Sequence, residues 1–343
     1  MSDIIDLLVV GAGPTGIAIG AAAKKAGLST LLLDKGPLTA AILNFPTYMT
    51  FFTTRDKLEI ADVPLSVPEE KPTRQQALLY YRNVAALYQL PLALHEEVTE
   101  ASRMPDGTFI VRSRPLTHGA SPTRGAVRTA ERCAHAVALA TGYFDHPFKL
   151  SVPGANLPWV HSYYRDPYRH FQEDVVIIGG GNSACEVALD LWRNGARSVT
   201  MVVRGAHLKE GVKYWVRPDV GNRIAEGAIR AHFNSTVVAF HDEPREVEIQ
   251  SIDGKRQRLK ADVAYAFLGF SPDAELQRRC GVRVDPATLV PEHNPETCES
   301  NVPGLYIAGT LQAGLDTGRI FIENSRDHGD RIVNHLKQRL QKP

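Results

Sequence analysis

The stretch Ile4-Ile5-Asp6-Leu7-Leu8-Val9-Val10-Gly11-Ala12-Gly13-Pro14-Thr15-Gly16, followed at once by Ile17-Ala18-Ile19-Gly20-Ala21-Ala22-Ala23, reads as strand, glycine turn and helix. Gly11 permits the tight turn, Gly13 lets the backbone approach a pyrophosphate, and Gly16 lets the helix lie close on the strand. The first turn of such a helix presents unpaired N–H groups and the positive end of its dipole to an anion. A dinucleotide is the expected ligand.

The pattern recurs in mid-chain. Asp174-Val175-Val176-Ile177-Ile178 leads into Gly179-Gly180-Gly181-Asn182-Ser183-Ala184 and then a helical stretch from Cys185 to Asn194. One glycine motif is a weak signal, but two, each after an apolar strand and before a helix, make ordinary glycine turns a poor explanation. Downstream of the first turn, the strand Ser29 to Leu33 ends in Asp34, 23 positions after Gly11 and near the spacing at which a carboxylate meets a ribose 2′-hydroxyl. Downstream of the second, the strand Ser198 to Val203 ends in Arg204, with His207 and Lys209 close by. A permanently charged guanidinium tolerates a 2′-phosphate that a carboxylate would repel, which favours NADPH over NADH at this turn.

The whole chain narrows the possibilities. Its 343 residues suit about two domains, and 39 Lys plus Arg against 38 Asp plus Glu leave no global basic field for nucleic acid. Cys133, Cys185, Cys280 and Cys298 form no Cys-x-x-Cys pair and no metal-ligand cluster, so no metal is expected and a reducing cytoplasm is the simplest setting. Met1-Ser2-Asp3 carries acid where a signal peptide needs positive charge, and no uninterrupted apolar run reaches membrane-spanning length.

Between the two turns the readings are coarser. Asn44-Phe45-Pro46-Thr47-Tyr48-Met49-Thr50-Phe51-Phe52-Thr53-Thr54 mixes aromatics with hydroxyls and suits either a cover for a flat ring or a loop plugged by its own aromatics. Thr73 is the expected N-cap of a helix running to Tyr88. Strands are expected at Ala93 to Glu100 and Thr108 to Ser113 around a Pro105-Asp106-Gly107 turn, then an exposed loop over residues 115–130 and a strand from Ala134 to Ala140 ending in Thr141-Gly142. Pro147 to Arg169, with four prolines, reads as a crossover in which His161 packs at a junction.

Past the second turn, strands are expected at Arg230 to Phe240, Arg245 to Ile252 and Ala261 to Phe270. Gly304-Leu305-Tyr306-Ile307-Ala308-Gly309-Thr310 is a final strand and glycine turn, and a helix is expected from about Arg319 to Leu340, its N-terminus favouring an anionic ring.

Four stretches together resemble the thioredoxin-reductase-like flavoproteins that bind two dinucleotides, and within them the YpdA family of bacillithiol disulfide reductases. They are Phe45-Pro46-Thr47-Tyr48-Met49-Thr50-Phe51-Phe52-Thr53, Gly179 to Ala184, Glu210-Gly211-Val212-Lys213-Tyr214-Trp215-Val216-Arg217-Pro218-Asp219, and Ile320-Phe321-Ile322-Glu323-Asn324. The resemblance spans essentially the whole chain. It implies an α/β protein with two Rossmann-like dinucleotide-binding domains of three-layer ββα architecture. A discontinuous FAD domain would comprise residues 1–150 and 271–343, and an NADPH domain residues 151–270.

Expected at the FAD site are Gly11, Gly13, Pro14, Thr15, Gly16, Asp34, Lys35, Thr47, Thr50, Thr141, Gly142, Gly309, Thr310 and Ile320; at the NADPH site, Gly179, Gly181, Asn182, Ser183, Ala184, Arg204 and Lys209. Two positions depart from the family pattern. Thr15 stands where the family has a cysteine, so no thiolate is available there. Thr310 stands where related flavoproteins commonly have an Asp. Cys185, at a helix start, is expected to be a buried small hydrophobe rather than a reactive thiol.

The reading is an NADPH-dependent FAD oxidoreductase, a homodimer by the prior for such enzymes, whose acceptor the resemblance gives as a small disulfide such as bacillithiol disulfide. Reduction of a ferredoxin or flavodoxin, a flavin monooxygenase activity, and a non-catalytic redox sensor are the alternatives.

Overall fold

The strand of the opening motif, β1 (Ile5–Val10), delivers Gly11 directly against its neighbour in the sheet, and the fold grows from that contact. The computed structural model describes residues 4–116 and 129–341. After β1 come α1 (Pro14–Lys25), β2 (Thr30–Asp34), the short helices α2 (Ala40–Leu43) and α3 (Arg55–Leu58), and α4 (Arg74–Leu87). The expected N-cap is present: Thr73 and Gln76 form a reciprocal capping box at the head of α4.

Next follow β3 (Leu92–Leu94), β4 (Glu96–Arg103), β5 (Phe109–Pro115) and β6 (Ala130–Leu139). The single strand expected at Ala93 to Glu100 is thus two, divided at His95, whose φ of 58° turns the chain from a parallel edge strand into an antiparallel one. The Pro105-Asp106-Gly107 turn is in place, with the Met104 N–H on the Thr108 carbonyl at 2.7 Å. Most of the loop expected over residues 115–130 lies outside the described residues.

Two compact units divide the chain, one of residues up to Asn44, Tyr48–His146 and Phe270 onward, the other of Phe45–Thr47 and Pro147–Gly269. The second unit contains β7 (Val160–His161), β8 (Asp174–Ile178), α5 (Asn182–Arg193), β9 (Ser198–Val202), α6 (Val216–Ala225) and β10 (Arg230–His232). It continues through β11 (Ser235–Asp242), β12 (Arg245–Ser251), β13 (Arg256–Lys260) and β14 (Val263–Ala266). The strand expected from Arg230 to Phe240 breaks at Asn234, which has a φ of 51°, and residues 147–169, where a crossover is expected, contribute β7 to this unit's own sheet.

The first unit is completed by α7 (Ala274–Arg279), β15 (Leu305–Ile307) and α8 (His328–Leu340). The last helix therefore starts at His328 and not near Arg319. Residues 319–325 are held instead by local side-chain bonds, Asn324 accepting the Phe321 N–H at 2.7 Å and the Ser325 hydroxyl donating to the Phe321 carbonyl at 2.7 Å. Such bonds compete with helix formation. The expectation of a helix dipole acting from Arg319 falls with it.

The two units repeat one plan. In the first, β3-β2-β1-β6 run parallel and β15 pairs parallel with the last residues of β6; in the second, β10-β9-β8-β14-β7 do the same. Each parallel sheet is backed on its other face by antiparallel strands, β4-β5 running on from β6 in the first and the separate β11-β12-β13 sheet in the second.

Alternation along β8 accounts for the layers. Val175 and Ile177 join the apolar cluster containing α5, while Val176 and Ile178 join the one containing Val237, Val247 and Ile249 of the antiparallel sheet. In the first unit Leu8 and Val10 pack with Val98, Phe109 and Val111, and α1 packs against α8 on the other face, where a Cβ at Gly329 would come within 2.8 Å of the Ala18 carbonyl oxygen.

Candidate functional site

The first glycine turn is fixed by main-chain bonds on both sides: the Gly11 N–H donates to Leu33 at 2.7 Å and the Ala140 N–H donates to Val10 at 2.8 Å. Gly11 has a φ of 109°, and a Cβ there would overlap the Ala140 carbonyl oxygen; a Cβ at Gly16 would overlap the Gly11 carbonyl oxygen. Around Gly13 nothing lies within 4 Å of where a Cβ would stand. Two glycines are thus required by the fold, and the middle one opens onto space that a ligand can approach. Gly13 is also the N-cap of α1, with no side chain capping the helix and Pro14 in its first turn.

The second turn repeats this plan at its first and middle glycines, with Ala184 in the place of Gly16. The Gly179 N–H donates to Val202 at 3.0 Å, the Phe267 N–H donates to Ile178 at 2.8 Å, and Gly179, at a φ of 134°, would place a Cβ 2.5 Å from the Phe267 carbonyl oxygen. Gly181 is the N-cap of α5, again without a side-chain cap. Each unit therefore holds an uncapped helix N-terminus at the carboxyl end of a parallel strand, which is where an open α/β sheet binds anionic ligands.

In the first unit an open cleft is lined by Gly11, Asp34, Lys35, Thr141 and Gly142 from the expected set. Its remaining walls, which sequence reading missed, include Glu96, Glu97, Asp145, His146 and Asp273. These come from strand ends and loops that carry no motif, and only the folded sheet gathers them. Asp34 accepts the Ala12 N–H at 2.7 Å through Oδ2 and the Gly36 N–H at 2.8 Å through Oδ1. Burial pushes its carboxyl up from the ordinary carboxylate range, against those two donors. Lys35 pairs with Asp145 at 3.3 Å. Thr39 also braces the turn: its N–H donates to the Ala12 carbonyl at 3.0 Å from a buried residue with a φ of 56°, a conformation costly for a β-branched side chain.

Thr15 and the C-terminal turn meet. A Cβ at Gly309 would come 2.8 Å from Thr15 Oγ1, and Thr15 Oγ1 lies 3.4 Å from Ser325 Oγ. Gly142 opens toward Thr310, whose Oγ1 is 3.5 Å from its would-be Cβ. Ile320 is buried nearby in sequence. Thr50 is exposed in the first unit, bridging Thr73, whereas Thr47 is exposed in the second, where its N–H donates to Arg165 at 2.7 Å.

In the second unit Asn182 has both polar ends engaged, Nδ2 donating to Gly211 at 3.0 Å and Oδ1 accepting the Lys213 N–H at 2.9 Å. It clamps the 211–213 loop to the glycine turn. Ser183 is exposed on the first turn of α5, Ala184 is buried beneath it, and the Lys209 N–H donates to Gly180 at 2.9 Å. Arg204 is exposed just past the end of β9.

The cysteines are free and three of them are buried. Burial pushes the Cys185 thiol up to about 12, and Cys280 and Cys298 each up to about 11, so the start of α5 does not make Cys185 reactive. Among the described residues, no group of three or more His, Cys, Asp or Glu could hold a metal ion, and no helix is long and apolar enough to cross a membrane.

The sequence pattern of the family described as "Pyridine nucleotide-disulphide oxidoreductase" matches residues 8–309. The chain is 35% identical over 332 residues to Bacilliredoxin reductase Bdr of Bacillus subtilis (strain 168), covering 97% of each. Among solved structures it is similar to bacillithiol disulfide reductase Bdr (YpdA) from Bacillus cereus, with a TM-score of 0.91 at 32% identity over 98% of this chain and 100% of that one. The Staphylococcus aureus structure of the same title gives a TM-score of 0.88 at 33% identity over 99% and 100%.

Proposed function

The chain belongs to the pyridine nucleotide-disulphide oxidoreductase family, and from that premise we propose that it is an NADPH-dependent FAD enzyme that reduces bacillithiol disulfide to two thiols. One observation carries the reading: two separate units each hold a forced glycine turn leading into a helix N-terminus that no side chain caps.

The residues present fit both cofactors. FAD would lie on the first turn, with its pyrophosphate at Gly13, Pro14, Thr15 and Gly16 and a ribose at Asp34, whose oxygens keep lone pairs beyond the two main-chain bonds. Thr141, Gly142, Gly309, Thr310 and Ile320 would border it, and the first unit, which ends at His146 and resumes at Phe270 where the sequence suggested 150 and 271, would be its domain. NADPH would lie on the second turn, at Gly179, Gly181, Ser183 and Ala184, with Arg204 and Lys209 meeting its 2′-phosphate, in the second unit, whose main segment is Pro147–Gly269. When bound, FAD supplies the chemistry that takes a hydride from a pyridine nucleotide and returns two electrons to a disulfide.

The chain's own part is binding and orientation. Asp34 ties the ends of β1 and β2 together through Ala12 and Gly36, Asn182 fixes the 211–213 loop, and Gly11 and Gly179 set both turns. With Thr15 at the first turn and the three thiols raised by burial at Cys185, Cys280 and Cys298, no protein disulfide intermediate is invoked. The enzyme works in the cytoplasm, where a reducing thiol pool needs such a reductase, and as a homodimer.

The test is NADPH consumption by FAD-loaded protein with bacillithiol disulfide, with ferredoxin, or with oxygen alone. Turnover that depends on the disulfide is expected. Turnover that depends on ferredoxin, or that oxygen alone sustains at the same rate, would replace this acceptor.

A further inference from the structure

The bend of residues 204–207 joins the end of β9 to the segment that runs along the second glycine turn. Both of its flanks rest on one glycine. A Cβ at Gly180 would meet Val203 Cγ1 at 2.8 Å and Leu208 Cα at 3.8 Å, and the Lys209 N–H donates to the Gly180 carbonyl at 2.9 Å. Val203 and Leu208 are themselves buried in the apolar cluster around α5, while Arg204, Gly205, Ala206 and His207 between them are all exposed. The bend is tight: the His207 carbonyl oxygen lies 3.4 Å from where Gly205 would carry a Cβ, and the Gly205 carbonyl accepts the Asn234 N–H at 3.0 Å. Flanks that converge on one residue bring the first and last members of the bend together, so Arg204 and His207 stand side by side on the rim of the glycine turn. The stem of Lys209 crosses the same turn, its Cδ 3.7 Å from where Gly181 would carry a Cβ.

No acid answers these basic groups. The side chains of Arg204, His207 and Lys209 have no ion pair and no hydrogen bond among the described residues, whereas Arg193, Arg197, Lys213 and Arg223 of the same unit each pair with a carboxylate. Basic groups gathered without an acid leave a positive field that an anion fills. A phosphate offers three oxygens, more than one guanidinium fork engages, and an imidazole donates to them from one ring N–H when neutral and from two when charged. The position of His207 at the opposite end of the bend from Arg204 supplies that second donor from the other side.

We propose that His207 is a specificity residue for the coenzyme, donating to the 2′-phosphate from the end of the bend opposite Arg204. This rests on the placing of NADPH on the second turn. The contact exists only when the 2′-phosphate does, so His207 acts on the phosphorylated coenzyme and leaves the unphosphorylated one alone. A residue that merely shaped the bend would act on both, since both lie on the same glycine turn.

The experiment titrates FAD-loaded protein calorimetrically with NADP+ and with NAD+, for the wild type, His207→Ala and His207→Lys. Expected for His207→Ala is NADP+ binding weakened about three- to tenfold with NAD+ binding unchanged. His207→Lys, which restores a donor and a charge, should bind NADP+ at least as tightly as the wild type. An unchanged NADP+ dissociation constant in His207→Ala overturns the proposal. So does an equal loss for NAD+, which would make the residue a support of the bend, and so does His207→Lys binding NADP+ as weakly as His207→Ala. Wild-type protein that binds NADP+ no more tightly than NAD+ would instead remove the 2′-phosphate site beneath the proposal, and that result is read from the wild type alone.

Discussion

The main-chain N–H of Gly309 donates to Nδ1 of His328 across 3.1 Å, so that the glycine turn after β15 is held by the first residue of α8. The bond requires Nδ1 to be unprotonated, and His328 is only 4% exposed. Burial, with Arg331 and His293 acting the same way and Asp327 opposing, pulls its pKa from 6.5 down to about 4.

The consequence for stability has a definite sign. Between pH 6.5 and 4 the unfolded chain binds a proton at this histidine that the folded chain refuses, so the neutral histidine's contribution is complete above pH 6.5 and is lost as pH falls toward 4. The loss amounts to roughly 3 kcal/mol over that window. Urea midpoints measured across it should fall more steeply for the wild type than for His328→Asn, which keeps an acceptor and cannot titrate. Identical slopes would show that His328 is protonated in the folded state.

The glycines of the first turn should separate fold from binding. Gly16→Ala forces a methyl onto the Gly11 carbonyl and should destabilise the apo protein by about 2 kcal/mol or more. Gly13→Ala meets open space and should cost about 1 kcal/mol or less, while weakening FAD at least tenfold by keeping the pyrophosphate off the helix end. Urea unfolding of apo protein and FAD titration read the two effects. Equal destabilisation by both substitutions would contradict the cradle.

Much of this was legible before folding, and the reasons are local. A glycine turn between strand and helix needs glycine at its first position and a small residue at its third wherever it occurs, so the turns at Gly11 and Gly179 announce themselves, as does the N-cap Thr73 by Gln76 three residues on. The start of α8 was not legible, because Asn324 and Ser325 satisfy the backbone of residues 319–325 and delay the helix to His328. Nor was the break at His95, where one left-handed residue changes strand direction without any change in apolar pattern. β13 escaped because Arg256, Gln257 and Arg258 are all exposed and show no alternation, and α6 because Pro218 sits in its first turn. Glu96, Asp145 and Asp273 join the cleft only through tertiary contacts.

Coenzyme choice should reside in Arg204, which is exposed past the end of β9 and free to meet a phosphate. Arg204→Ala should lower the NADPH to NADH ratio of kcat/KM about tenfold or more, the worth of one charge-assisted contact of roughly 1.5 to 3 kcal/mol. Steady-state kinetics with both coenzymes checks it. An unchanged ratio would move the 2′-phosphate site elsewhere.

Thiol chemistry of the three buried cysteines should be dispensable. Cys185, Cys280 and Cys298 are buried with their thiols held near 11 or 12, and Thr15 offers no sulfur. Iodoacetamide at neutral pH should leave the disulfide turnover of a Cys133→Ala protein unaltered, and the Cys185→Ala, Cys280→Ala, Cys298→Ala protein should keep most of its activity. Rapid inactivation by the reagent would reveal a working thiolate.

The central claim is that one chain brings NADPH and FAD to bear on a disulfide. Anaerobic stopped-flow mixing of FAD-loaded protein with NADPH, followed by bacillithiol disulfide, tests it most directly. The account predicts that the visible flavin absorbance is lost with NADPH, much faster than with NADH, and returns when the disulfide is added. Absorbance that NADPH does not change, or that the disulfide does not restore, would contradict it.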